Sequence, residues 1–120
     1  MAAAGKYLLY PAIFHANQGT TTLVFTITST TLNSTAAYTV MQLGATSFGD
    51  ITLAAVGAGP HVSFADAPPF NSPRWGDYSA AALDPNGEDI WQATEYIPPP
   101  ANQSPLDNWG TGVFDVAGNH

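Results

Sequence analysis

Carboxylate side chains are the residues of this sequence whose chemistry could support catalysis, because two suitably placed carboxyl groups are sufficient for glycoside hydrolysis. Asp77 and Glu95 are each flanked by aromatic residues, where burial could raise the pKa of a carboxyl group. Asp77 also has a structural alternative, since it could cap backbone amides or pair with Arg74. The remaining candidates lie in one turn, where we expect solvated surface charge: Asp84, Glu88 and Asp89.

Aromatic residues accompany these carboxylates, and they could form a stacking surface for sugar rings. Residues 74–79 read RWGDYS and residues 108–111 read NWGT, and all three tryptophans and the only arginine lie in the second half of the chain. Trp91 lies inside a predicted strand, so we interpret it as a core residue. The candidate ligand-binding residues are Arg74, Trp75, Tyr78, Tyr96, Asn108 and Trp109.

Other catalytic and metal-binding patterns are weak or absent in the sequence. His15, His61 and His120 lack the spacing of metal ligands, the chain has no cysteine, and no Gly-x-Ser-x-Gly elbow occurs. The turn from Asp84 to Asp89 carries several oxygen ligands and could hold Ca²⁺ weakly. It lacks the spacing of an EF-hand loop, so an ordinary hairpin is favoured. We expect no metal and no cofactor.

The charge balance limits the partners of the chain. The net charge is −7, with only two basic residues among 120, whereas binding to a phosphate backbone needs clustered lysine and arginine. We therefore expect neither nucleic acid nor an anionic membrane surface as a partner. No apolar run approaches transmembrane length, and the first residues lack the apolar stretch of a signal peptide.

The composition and periodicity predict an all-β fold. Ten prolines and eleven glycines argue against long helices. Residues 20–28 alternate in polarity with period two, as in a half-buried strand, and no window keeps a 3.6-residue period. We predict seven strands: one that begins near Ala80, and six at residues 8–15, 20–28, 36–43, 51–56, 90–97 and 109–116.

An internal repeat organises these strands. The segment from Tyr10 to Gly19 aligns with the segment from Tyr78 to Gly87 at an offset of 68 residues. A four-stranded antiparallel repeat is typical of a propeller blade. Within one unit, 1–120, we predict a first blade at 7–60, a connecting loop at 61–73 and an incomplete second blade at 74–116, with a compact β-sandwich as the alternative. Two blades cannot close a ring, so we expect a homo-oligomer or part of a longer chain.

Several motifs occur in one order that resembles a known family. They are YPAI at 10–13, AAY at 36–38, RWGDYS at 74–79, DPNG at 84–87, TEY at 94–96 and NWGT at 108–111. Together they look like the C-terminal blades of bacterial secreted, sialidase-like (neuraminidase-repeat) β-propeller proteins. The resemblance implies an extracellular location. The hairpin at 84–91, DPNGEDIW, is similar to the Asp-box turn of that superfamily, Ser-x-Asp-x-Gly-x-Thr-Trp, but departs from its pattern.

Two functions remain open at this point. The first is a non-catalytic propeller module that binds extracellular glycan or protein, or completes a larger scaffold. The second is a glycoside hydrolase that uses Asp77 and Glu95. Sialidase chemistry itself needs three arginines around the substrate carboxylate, and the chain has only Arg74. The sequence favours the non-catalytic module, because catalysis needs a rigid pocket and two blades lack ring closure.

Overall fold

The computed structural model describes residues 4–17, 19–72, 74–87, 89–100 and 107–117. These residues form seven strands and one 3₁₀ turn, Phe64–Asp66, so the all-β prediction is confirmed. Each predicted strand lies within two residues of the observed one. No helix in the described ranges has the length and apolar character to cross a membrane. The strands are β1 Lys6–His15, β2 Thr21–Ser29, β3 Thr35–Met41, β4 Thr52–Ala55, β5 Ala80–Leu83, β6 Asp89–Tyr96 and β7 Gly110–Ala117.

The strands form two antiparallel sheets that pack face to face. One sheet has four strands in the order β1-β2-β3-β4, and the other has three in the order β5-β6-β7. Both are simple meanders, in which each strand pairs with the next along the chain. We call the faces that contact each other the inner faces, and the opposite two the outer faces. The arrangement is sandwich-like.

The outer face of the four-stranded sheet carries the hydrophobic core. Phe25, Ile27 and Ala37 are completely buried there. Leu32, from the loop after β2, and Ile51, just before β4, pack against them. Because the apolar residues of β2 alternate with threonines, one strand supplies both the core and the inner face. These loop residues therefore shield the outer face of the four-stranded sheet from solvent.

The inner faces meet through hydroxylated and aromatic side chains. The Thr26 and Thr94 hydroxyl oxygens lie 3.2 Å apart. The rings of Tyr38 and Phe114 have centroids 5.5 Å apart. Thr26 and Thr94 are both buried, so hydroxyl hydrogen bonds contribute to joining the sheets alongside apolar contact.

The hairpins of the two sheets correspond closely but not at a constant offset. Ala16 N–H donates to Thr20 O in the first hairpin, and Asp84 N–H donates to Asp89 O in the second, both at 2.8 Å. The offset is therefore 68 residues before the turn and 69 after it. One additional residue in the second turn shifts β6 by one position relative to β2.

This shift determines how the sheets stack. By the hairpin correspondence, Thr94 occupies the position of Phe25, not that of Thr26. Phe25 lies on the outer face of its sheet, whereas Thr94 lies on the inner face of the other sheet. The sheets thus stack head to tail, with corresponding faces pointing the same way. The outer face of the three-stranded sheet, which carries Trp91, corresponds to the covered inner face of the four-stranded sheet.

Candidate functional site

A cleft of about 220 Å³ lies where β6 ends and β7 begins. Its walls come from the 3₁₀ turn, the segment before β5, the end of β6 and the segment before β7. Polar and aromatic side chains converge there from distant parts of the sequence. The lining includes Phe64, Arg74, Trp75, Asp77, Glu95 and Trp109.

The cleft brings together five of the eight residues predicted as a site. Both candidate catalytic carboxylates, Asp77 and Glu95, line it, together with Arg74, Trp75 and Trp109. The RWGDYS and NWGT segments therefore both contribute side chains to this cleft.

The other three predicted residues are placed outside the lining. Tyr78 is 86% exposed and points into solvent. Tyr96 is half-buried, with its ring beside Gly112. Asn108 is buried behind the cleft, where it supports the lining instead of presenting its amide to a ligand.

Glu95 is held against the backbone of the segment before β5. The N–H of Gly76 donates a hydrogen bond to the Glu95 carboxylate. A Cβ atom at position 76 would collide with that carboxylate, so the contact requires glycine. Glu95 Oε2 is buried and has no hydrogen-bond partner among the described residues. This oxygen therefore lies inside the wall of the cleft, next to the backbone of Gly76.

The surroundings of Glu95 favour its protonated form. Burial raises the pKa of the carboxyl group above its ordinary value, and the nearby charge of Asp77 raises it further. The hydrogen bond from Gly76 opposes this shift because it stabilises the charged form. A carboxyl group with a raised pKa next to a second carboxylate is the pattern expected of an acid and base pair.

Trp75 is fixed in the wall of the cleft from two sides. Its Nε1–H donates to the Thr26 hydroxyl at 3.4 Å. The His61 ring packs edge-on against the indole, with centroids 5.1 Å apart and planes at 83°. Thr26 also donates to Glu95 O at 2.7 Å. The inner face of the four-stranded sheet therefore holds both Trp75 and the strand that carries Glu95.

Trp109 presents half of its surface to solvent, and the preceding Asn108 positions it. Asn108 Oδ1 accepts from Val62 N–H at 2.8 Å, and Asn108 Nδ2 donates to Pro60 O at 2.9 Å. These bonds join the start of β7 to the chain before the 3₁₀ turn. Asn108 is therefore a positioning residue for the aromatic wall.

Phe64 is a lining residue that the sequence analysis missed. It is 53% exposed and begins the 3₁₀ turn, which a capping box between Ser63 and Asp66 stabilises. The segment predicted as a connecting loop, 61–73, thus contains an ordered turn. The Ser-x-x-Asp spacing at 63–66 was the signal that could have indicated an ordered turn.

Two alternative roles of the acidic residues can be compared with the structure: an ion pair between Asp77 and Arg74, and a Ca²⁺ site in the turn from Asp84 to Asp89. In the described residues no ion pair joins Arg74 to Asp77, and both side chains are exposed. Within the same ranges no group of three His, Cys, Asp or Glu residues could hold a metal. Glu88 and His120 lie outside the described residues.

Trp91 departs from its prediction as a core residue. It is 44% exposed, on the outer face of the three-stranded sheet. Its Nε1–H donates to Asp84 Oδ2 at 2.8 Å, and Asp84 Oδ1 accepts from Asn86 N–H at 2.7 Å. The bond from Trp91 lowers the pKa of Asp84, and the bond from Asn86 adds to this effect. The hairpin turn thereby fixes the orientation of the indole.

The chain matches no family model, no curated protein and no solved structure. The cleft itself combines three aromatic side chains, one guanidinium and three carboxylates, those of Asp77, Glu95 and Asp107.

Proposed function

We propose that the cleft binds a carbohydrate. The observation that carries this proposal is the convergence of Phe64, Trp75 and Trp109 with Asp77 and Glu95 in one small cleft. Aromatic rings stack on the apolar faces of sugars, and carboxylates accept hydrogen bonds from hydroxyl groups. The volume, about 220 Å³, lies below the range of about 300–1,000 Å³ for drug-sized ligands. It suits one sugar ring.

The polar groups of the cleft match a neutral polyol. Asp77 is exposed in the lining and can accept from a hydroxyl, while Arg74 can donate to one at the rim. Asp77 and Glu95 disfavour an anionic ligand, because a second negative charge would be brought close to theirs. A ligand rich in hydroxyl groups satisfies both the acceptors and the donor.

Substitution of the two tryptophans tests this proposal. Trp75→Ala and Trp109→Ala should each weaken glycan binding about tenfold, because stacking on either indole is lost. The matched control is Tyr78→Ala, which removes an aromatic side chain outside the cleft. Isothermal titration calorimetry against the best ligand from a glycan array measures the effect. Unchanged affinity in both tryptophan variants would refute carbohydrate binding in this cleft.

Glycoside hydrolysis is the second candidate function, and Glu95 is the observation that favours it. A carboxyl group with a raised pKa can donate a proton to a glycosidic oxygen, while Asp77 acts as base or nucleophile. Glu95→Gln and Asp77→Asn should then each abolish release of reducing sugar. Turnover retained in both variants would exclude this mechanism while leaving binding intact.

We also propose that the chain is related to sialidase-like propellers and acts outside the cell. The support is the resemblance of its motifs, together with two meander sheets stacked head to tail, as successive propeller blades are. Sialidase chemistry is not part of the proposal, because Arg74 is the only arginine of the chain.

A further inference from the structure

A row of outward side chains connects the cleft to the exposed Trp91. Residues of β6 alternate between the two faces of the sheet, so Trp91, Ala93 and Glu95 all point to the outer face. Glu95 is the last of them and lines the cleft. The row therefore begins inside the proposed sugar site and continues along the surface of the sheet.

A second hollow lies on this row beside Trp91. It measures about 160 Å³ and is lined by Ala80, Ala82, Trp91 and Ala93. Ala82 pairs with Trp91 and Ala80 with Ala93 across the β5–β6 ladder. Small side chains leave the face of the indole accessible from the neighbouring strand. The hollow is thus open to solvent and almost entirely apolar.

The indole of Trp91 is oriented before any ligand arrives. Its Nε1–H already donates to Asp84 Oδ2. Asp84 Oδ1 in turn accepts from the backbone N–H of Asn86 in the hairpin. An aromatic side chain fixed in this way loses little conformational freedom on binding. It offers its ring face, because its only polar atom is engaged.

The two hollows are separated by a distance that an oligosaccharide can span. Trp91 and Glu95 are four residues apart on β6, which corresponds to about 13 Å along the strand. We propose that the ligand is an extended, uncharged oligosaccharide that places one ring in the cleft and stacks a further ring on Trp91. This inference rests on the proposed function and extends it from one sugar to a chain.

Charge and coverage favour a glycan over a second copy of this chain as the occupant. Asp84, Asp89 and Asp115 lie around Trp91 at one end of the hollow, and the chain carries a net charge of −7. Two such faces brought together would repel each other. The outer face of the four-stranded sheet cannot dock there either, since Leu32 and Ile51 already cover it. A neutral sugar is not repelled by these aspartates, and it needs no exposed protein face as its partner.

Length series of oligosaccharides test the inference. The probes are β-glucan, chitin, xylan and galactan oligomers, each from the monosaccharide to the pentasaccharide, titrated by calorimetry into the intact protein. We expect affinity to rise with length. Trp91→Ala should then weaken pentasaccharide binding about threefold to tenfold and leave the monosaccharide unchanged, whereas Trp75→Ala should weaken both. Trp91→Phe keeps a ring and should retain most of the gain with length.

The outcomes separate this inference from the proposed function. If affinity is independent of length and insensitive to Trp91→Ala, the extended site is wrong and the single-ring cleft stands. If no series binds at all, both fail. Light scattering on the same variants tests the other possible occupant, a second copy of this chain. A mass that falls in Trp91→Ala, with glycan binding unchanged, would assign the face to contact between copies and overturn the inference.

Discussion

At the scale of single residues, the cleft depends on Gly76. The carboxylate of Glu95 approaches the backbone so closely that no Cβ fits at this position. We expect Gly76→Ala to displace the carboxylate and to lower glycan affinity at least tenfold, since a displacement of about 1 Å can remove most of a positioned interaction. Calorimetric titration of the variant measures the loss.

Gly112→Ala is the matched control for that change. A Cβ atom at Gly112 would meet its nearest neighbours at 3.6 Å, an ordinary contact distance. The control should therefore bind like the unmodified chain. Equal affinity in both alanine variants would show that the position of Glu95 does not matter for the ligand.

The raised pKa of Glu95 predicts how the stability of the fold depends on pH. Because its pKa is raised in the folded state, the folded chain binds the proton more tightly than the unfolded chain. That favourable contribution is present below the ordinary pKa of 4.5 and is lost as the pH rises through the raised value. Glu95→Gln should therefore melt at a higher temperature than the unmodified chain at neutral pH, and the difference should disappear in acid.

Thermal melts at a series of pH values check this prediction. Asp115→Asn is the control, because it makes the same change of net charge at an exposed position of the neighbouring strand. A Glu95→Gln variant that is less stable at neutral pH would mean that the charged carboxylate is well solvated or paired in the fold.

At the scale of strands and sheets, Thr26 of β2 joins the two sheets. Its hydroxyl donates to Glu95 O at 2.7 Å, accepts from Trp75 Nε1 at 3.4 Å and lies 3.2 Å from the Thr94 hydroxyl. Thr26→Val keeps the shape and removes these bonds, so we expect the free energy of unfolding to fall by about 1–3 kcal/mol. Urea denaturation followed by tryptophan fluorescence provides the measurement.

The same strand offers an internal control. The hydroxyl of Thr22 is buried and has no partner in the described part of the chain. Thr22→Val removes an unsatisfied polar atom, so it should leave stability unchanged or raise it. If both valine variants lose the same amount of stability, the bonds of Thr26 contribute nothing specific to joining the sheets.

The strands themselves could be predicted from the sequence, but the packing of their faces could not. Alternating polarity and the turn residues set the strand positions, because both are local properties. The face that each strand buries depends on register, and one extra residue in the second turn reverses it for β6. Trp91 lies in a strand, as predicted, but on the face of β6 that this register leaves exposed. The shift becomes visible only when the two hairpins are compared bond by bond.

The candidate site, too, could be predicted from the sequence only in part. Asp77, Glu95, Arg74, Trp75 and Trp109 could be found because carboxylates and aromatics clustered along the chain. Which neighbours would face the cleft depends on the orientation of each side chain. The sequence therefore could not distinguish the exposed Tyr78 from the lining residues, nor indicate Phe64, which the 3₁₀ turn brings in from another segment.

At the scale of the whole molecule, the chain is more extended than a compact domain. Its radius of gyration is 15.5 Å, whereas a compact chain of this length has about 14 Å. Two small sheets leave long strand edges open to other chains. Of the edge strands in the described residues, β1 is interrupted by a bulge between Leu9 and Ala12, and β4 and β5 have only four residues each. β7 pairs with β6 over eight residues without a shift, and no described strand pairs with its other edge.

The self-association predicted from the sequence should therefore proceed through β7. Residues 110–117 contain no lysine, arginine or proline, and Asp115 is their only charged residue, so few of the side chains that protect an edge are present. We expect two copies to pair their β7 strands antiparallel about a two-fold axis, with a solution mass twice that of the 12.5 kDa chain. The outer row of β6 then remains free for the ligand.

Val113→Lys tests this geometry. Val113 is 64% exposed in the middle of β7, and a lysine there places like charges close together across the two-fold axis. Light scattering should then report the mass of a single chain. Val56→Lys makes the same change at an exposed valine after β4 and should leave the dimer intact. A single-chain mass for the unmodified protein at every concentration would mean that the open edge of β7 is protected in another way.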